Sequence, residues 1–119
     1  MATVLTQVGE EYLADKITET VQTKPEYIAW GSGAGTSDKA DVALFTEESE
    51  ARVQGAESQP VADKVRYVAT LTADGPKTIT NAGTFTLITG GTLVVKGDFT
   101  GIPLLLNDQI EFSIDLEIT

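Results

Sequence analysis

Cysteine and histidine are both absent from this chain of 119 residues. Without them there is no disulfide framework, no thiolate metal site and no cysteine nucleophile. A Ser-His-Asp triad and a histidine proton shuttle are excluded as well. Cations are scarce: 8 Lys and Arg stand against 18 Asp and Glu, a net charge of −10. So few cations cannot make the phosphate contacts that nucleic-acid binding needs, and an anionic lipid surface would repel the chain. No apolar run approaches the ~20 residues that cross a bilayer. Thr3, Thr6 and Gln7 interrupt the apolar residues that follow Met1, which leaves neither a basic nor an apolar leader segment. The reading therefore expects no secretory signal, and action in the cytoplasm or in something assembled there.

What is present suits one globular domain. Hydrophobic content is 41% and charged content 22%, which argues against wholesale disorder. The length allows one core and not two. The negative charge serves solubility, and it leaves room for a protein partner with a basic surface.

Periodicity is clearest at residues 110–119. Ile110, Phe112, Ile114, Leu116 and Ile118 alternate with Glu111, Ser113, Asp115, Glu117 and Thr119. Period two is the strand period, with one face in a core and one in water. Residues 64–73 repeat the pattern, with Val65, Tyr67, Ala69, Leu71 and Ala73 inward. A further strand begins at Lys77, with an interruption at Asn81-Ala82-Gly83 that suits a bulge and with Phe85 and Leu87 inward. Gly90-Gly91 suits a hairpin turn, and residues 92–99 return with Leu93 and Val95 inward. Gly101-Ile102-Pro103 reads as a connection, Leu104-Leu105-Leu106 as core contacts, and Asn107-Asp108 as the turn into the last strand. Residues 56–63 contain Pro60 and read as a loop. Thr46 reads as the cap of one short helical turn. Near the start, Leu13, Ile17 and Val21 fall on one helical face after an extended lead-in, and Thr20, Thr23 and Pro25 end the pattern.

These signals predict an all-β, antiparallel sandwich with a short N-terminal helix. The chain is read as a single domain over 1–119. Residues 1–25 form its helical segment and residues 26–119 the sandwich.

Candidate chemistry is sparse. Gly31, Gly33 and Gly35 sit at alternate positions after the strand Tyr27-Ile28-Ala29-Trp30. A phosphate-cradling loop would need a following Lys-Ser/Thr or a third spaced glycine opening a helix. Here Asp38-Lys39-Ala40-Asp41 follows, so an anion would meet carboxylates. Asp38 and Asp41 with Thr36 and Ser37 could gather oxygens around calcium, but they lack the EF-hand spacing and read as a solvated turn. Glu47, Glu48 and Glu50 could be the paired carboxylates of a glycosidase, or an acidic turn pairing Arg52. No catalytic residue, cofactor or metal is assigned.

Five segments carry a resemblance. They are Ala29-Trp30-Gly31-Ser32-Gly33-Ala34-Gly35-Thr36; Leu44-Phe45-Thr46-Glu47 with Glu50-Ala51-Arg52-Val53; Thr78-Ile79-Thr80-Asn81-Ala82-Gly83-Thr84-Phe85; Lys96-Gly97-Asp98-Phe99-Thr100-Gly101-Ile102-Pro103-Leu104; and Asn107-Asp108-Gln109-Ile110-Glu111-Phe112. In this order they resemble small bacteriophage virion proteins, above all the jelly-roll cement (decoration) proteins of tailed phages. The resemblance implies a non-enzymatic structural protein made in the bacterial host's cytoplasm. It would bind the outside of the major capsid protein lattice and associate with itself as a dimer or trimer. A tail-fibre or tail-associated role is the alternative. The N-terminal helix lies outside the match.

The expected interaction surface is the loop Trp30, Gly31, Ser32, Gly33, Ala34, Gly35, Thr36, Ser37 and Asp38, with Tyr12 and Leu13 of the helix as a second contact. Small residues allow close backbone approach. Trp30, the only tryptophan, is either a binding hot spot or a core residue.

Overall fold

The computed structural model describes residues 2–19 and 23–117. Met1, Thr20, Val21, Gln22, Ile118 and Thr119 lie outside the described residues. So do the expectations placed on them: the helix stripe at Val21, its stop at Thr20, and the last pair of the C-terminal alternation. In chain order the elements are β1 (Ala2–Leu5), α1 (Gln7–Ile17), β2 (Tyr27–Ser32), β3 (Thr46–Glu47), β4 (Val53–Gln54), β5 (Ala56–Val61), β6 (Lys64–Thr72), β7 (Lys77–Phe85), β8 (Leu93–Leu104) and β9 (Gln109–Glu117).

Two antiparallel sheets pack face to face. The larger runs β1-β8-β7-β2-β3, with β4 also pairing β2; the smaller runs β5-β6-β9. The alternating stretches at 64–73 and 110–117 are neighbours, in unbroken register from Lys64↔Glu117 to Thr72↔Gln109. Tyr67, Ala69 and Leu71 bury their inward side chains against Ile28, Trp30, Ile79, Ala82 and Leu104 of the larger sheet. Phe112 meets the Trp30 ring edge-on, centroids 6.3 Å apart. At Gly55 the chain leaves β4 in one sheet and enters β5 in the other, and the Gly55 N–H donates to the Glu26 carbonyl at 2.6 Å.

Ile114 bridges two apolar clusters at the mid-point of this arrangement. Ile114→Asp should therefore cost about 3 kcal/mol of stability, because the apolar contacts of both clusters are lost and a carboxylate is partly desolvated without a partner. A denaturant melt that leaves the midpoint unmoved would show that the strand register is wrong.

The short helix forms, but it ends at Ile17 with Thr18 as its C-cap. Ile17, expected on the buried stripe, is 85% exposed, while Gly9 and Tyr12 are buried. Its lead-in is a true strand of the larger sheet, Leu5 opposite Val95. The helix is capped by Thr6, whose buried hydroxyl accepts from the Gly9 N–H at 3.0 Å and donates to the Leu93 carbonyl at 2.6 Å. Helix and β8 are in backbone contact here. A Cβ on Gly9 would lie 2.7 Å from the Val94 oxygen. Gly9→Val should thus cost about 2 kcal/mol or more by forcing the helix off the strand. A matched thermal melt checks this, and an unchanged Tm would mean the contact is slack.

Several local expectations are corrected. Thr46 does not cap a helical turn; Thr46 and Glu47 are β3, opposite Ser32 and Gly31. Residues 56–61 are the strand β5 and not a loop, since proline is tolerated on an edge strand such as this. Gly101-Ile102-Pro103 continues β8, opposite Ile79 and Thr78 from Ile102 onward. Among the described residues pairing with β1 reaches no further than Asp98, so β8 is an edge there and the missing N–H of Pro103 breaks no second ladder. Leu104 is buried, but Leu105 and Leu106 are exposed on the turn. Leu87 is exposed too, on the β7–β8 connection, where Gly90 and Gly91 take the positive φ expected of them. Phe85 is buried, though not between the sheets: it lies with Ala29, Leu44 and Leu93 on the far face of the larger sheet.

Register shifts explain that last point. They fall in the β7–β8 ladder between Ile79 and Asn81, just before the Asn81-Ala82-Gly83 stretch where a bulge was expected, and again between Thr84 and Phe85. A shifted register turns side chains from one face to the other. The larger sheet therefore buries apolar groups on both faces, and something must cover the outer one.

Candidate interaction surface

The cover is the glycine loop itself. Residues 33–45 leave β2, cross the outer face of the larger sheet and return as β3 beside the strand they left. Leu44 inserts beside Ala29, Phe85 and Leu93. The Ser37 N–H donates to Asp98 Oδ1 at 2.7 Å and the Thr80 hydroxyl to the Gly33 carbonyl at 2.6 Å. Fully buried Asn81 accepts from the Phe45 N–H at 3.2 Å and donates to the Ser32 carbonyl at 3.1 Å. The Gln7 N–H donates to the Lys39 carbonyl at 2.8 Å, and the Lys39 ammonium lies 2.8 Å from Glu10, which joins the loop to the first turn of α1. Gly35, at φ +153°, passes flat over Phe45; a Cβ there would sit 2.8 Å from the ring.

Lys96 is the central pin. Its side chain is 1% exposed. The ammonium donates to Asp41 Oδ2 at 2.8 Å and to the Ala43 carbonyl at 3.1 Å, and it stacks 3.5 Å from the Phe45 ring centroid. A buried ammonium needs such partners, because desolvation is costly unless hydrogen bonds replace water. The bond from Lys96 holds the Asp41 carboxyl below its ordinary value, with a further backbone bond to Asp38.

The acidic segment that follows is also consumed in anchoring. Glu47 takes a two-pronged bond from Arg52 at 2.9 and 3.0 Å. The same guanidinium donates to the Leu87 and Gly90 carbonyls and stacks 3.6 Å from the Phe85 ring centroid. Glu50 turns inward. Its carboxylate accepts from Trp30 Nε1 at 3.2 Å, from the Asp74 N–H at 3.0 Å, and from the Lys77 ammonium in a short contact. Burial pushes this carboxyl up, yet those hydrogen bonds outweigh it and hold it down at about 2. A glycosidase general acid needs the opposite shift.

The expected surface residues thus divide. Trp30 and Gly31 are buried, and Trp30 is a core residue whose indole N–H is spent on Glu50. Ser37 is buried as well, and Ser32 half-buried. Gly33, Ala34, Gly35, Thr36 and Asp38 are exposed, as is Val42 at 64%. Tyr12 is buried and Leu13 half-buried, and both face away from the loop. They line an open groove of about 320 Å³ with Pro25, Val65, Tyr67 and Leu116. The Tyr67 hydroxyl donates to Glu57 at 3.1 Å, and burial together with that carboxylate pushes its phenol up. The loop and the helix therefore meet through Lys39, Gln7 and Glu10, and not through Tyr12 and Leu13.

Asp38 and Asp41 form a local turn, Asp38 Oδ1 accepting from the Ala40 N–H at 2.8 Å and Asp41 Oδ2 from the Asp38 N–H at 3.0 Å. Among the described residues no three acidic side chains are grouped to hold a metal ion, and no helix is long and apolar enough to cross a membrane.

Sequence reasoning missed Lys96 and Glu50 as anchors. Alternation around Leu93 and Val95 puts Lys96 on an outer face, which is correct, but nothing local says that a loop will cover that face. Compared with known proteins, the chain matches no family model, no curated protein and no solved structure.

Proposed function

We propose that this chain is a structural binding protein of a bacteriophage virion, a cement protein that sits on the outside of the major capsid protein lattice and stabilises the head. The sequence resemblance motivates the reading. The observation that carries it furthest is the tied-down loop. Its exposed part, Gly33 to Thr36 with Asp38 and Val42, is held on a frame of buried bonds, so binding it costs little ordering of the chain. The charged side chains that converge in the fold hold the chain to itself rather than facing an open cleft. A lattice offers the same surface many times, and a preorganised contact suits repeated weak sites. Association with itself as a dimer or trimer would place copies at symmetric positions on such a shell.

Labelled protein mixed with particles that lack it, imaged by electron microscopy, tests this. Density over the icosahedral faces is expected. Density confined to the tail vertex would replace the cement role with a tail role. Shortening residues 33–36 should lower occupancy on the shell while leaving the fold intact, and unchanged occupancy would move the contact elsewhere.

A further inference from the structure

The smaller sheet ends one strand too soon. Among the described residues its edge, β9, pairs only with β6, while the larger sheet beneath it continues through β8 to β1. Past β9 an open groove of about 330 Å³ runs between the sheets, lined by Val95, Phe99, Phe112 and Ile114, with Thr3 of β1 at its margin. Phe112 and Ile114 are only half-buried for that reason. The edge is nine residues long and unbroken in register, and it contains no proline. Such an edge presents a row of backbone donors and acceptors to any further strand. A strand hydrogen-bonded there would lie about 4.8 Å beyond β9 and face the groove with alternate side chains.

We propose that β9 is a docking edge for an extended segment of another protein, in which apolar residues alternate with lysine or arginine. The alternation follows from the ladder, where residues opposite one another share a face. Apolar side chains opposite Phe112 and Ile114 would enter the groove. Those opposite Glu111, Ser113 and Asp115 would lie on the outer face. That face of β9 carries Glu111, Asp115 and Glu117 and no cation. Asp115 is already held by Arg66 at 2.8 Å, and Glu117 by Lys64 at 3.3 Å. Exposed Glu111 has no ion pair among the described residues, and it is the carboxylate left for an incoming cation. The same charges disfavour a second copy of the chain. Two β9 strands paired antiparallel about Ser113 would set Glu111 opposite Asp115 of the other copy, and like charges directly opposite are destabilising. The acidic edge thus guards against self-pairing and selects a basic partner. This inference rests on the edge and the groove, and it stands apart from the virion reading.

The probe is a short synthetic peptide alternating lysine with valine, added to the whole chain at low salt. Slowed hydrogen exchange at β9 amides is expected, weakening as salt is raised. The same peptide with glutamate for lysine should not bind. Glu111→Lys, an exposed change that leaves the core untouched, should weaken the lysine peptide about tenfold. Equal binding of the two peptides, or no effect of Glu111→Lys, would overturn the charge selection. Protection at β5 or β1 in place of β9 would overturn the site. Protection of β9 that grows with protein concentration in the absence of peptide would make a second copy the occupant and overturn the proposal.

Discussion

Replacing Glu50 with alanine should cost about 3–4 kcal/mol at neutral pH, one of the two largest losses expected of any single change here. The side chain is 10% exposed and accepts from three donors of three different elements: Trp30 on β2, Asp74 in the β6–β7 turn and Lys77 on β7. Removing it strands the buried indole N–H and the Lys77 ammonium together. Asp74, 2.8 Å from that ammonium, and Glu48, 4.0 Å away, soften the loss but sit on the solvent side. The pH dependence separates charge from packing. The Glu50 carboxyl is held at about 2 in the fold against an ordinary 4.5. A depressed folded value means stability that is fully present above the unfolded value, near 4.5, and is lost as pH falls through the folded one. The native chain should therefore lose about 2–3 kcal/mol of this contribution between pH 5 and pH 2, after allowance for solvent screening. Glu50→Gln cannot lose it. The gap in unfolding free energy between the native chain and Glu50→Gln should close over that window. A gap that stays constant would show that the carboxylate is not held as the geometry requires.

This anchor illustrates what a one-dimensional reading reaches. Strand alternation placed β6 and β9 with their faces correct, because both strands are half-buried and period two is undisturbed over nine residues. It failed on β7 and β8, where register shifts break the period and where the sheet is covered on both sides. Phe85 and Leu93 were rightly read as buried, but against a layer that alternation cannot announce. Pro60 and Pro103 misled for a related reason. A proline argues against a strand only where both neighbours must be paired, and each lies on an edge. The candidate surface divided along the same line. The small residues 33–36 are exposed, as their composition suggests. Trp30, whose chemistry fits a hot spot equally well, is settled by long-range packing against Phe112 and by the bond to Glu50. Lys96 gave no local signal at all, since a lysine on an outer face is ordinarily solvated.

Lys96→Glu should cost about 4 kcal/mol or more and free the loop it pins. The substitution puts a carboxylate where an ammonium is 1% exposed, beside Asp41, under the Phe45 ring and next to the Ala43 carbonyl. No side-chain donor remains for the new carboxylate, Asp41 keeps only the Asp38 N–H, and the ring loses its cation. Folding then requires either protonation of a buried acid or displacement of residues 33–45. The second outcome has a specific signature. The amides of Ser37, Phe45 and Gln7 are protected by bonds to Asp98, Asn81 and the Lys39 carbonyl, and all three should exchange faster once the loop lifts. Amides in the β6–β9 ladder should keep their relative protection, since that sheet lies on the other side of the molecule from the loop. Lys96→Met is the companion measurement. It keeps the apolar stem beneath Phe45 and removes only the charge, and Asp41 is 25% exposed and able to take up water. A loss of about 1–2 kcal/mol is expected, less than for breaking a fully buried pair, because the Asp41 left behind is hydrated and keeps the Asp38 N–H. If Lys96→Met is as damaging as Lys96→Glu, the ammonium and not the stem holds the loop. If neither variant speeds exchange at Ser37 and Phe45, the loop is fastened by its backbone bonds and Leu44, and Lys96 is a passenger beneath it.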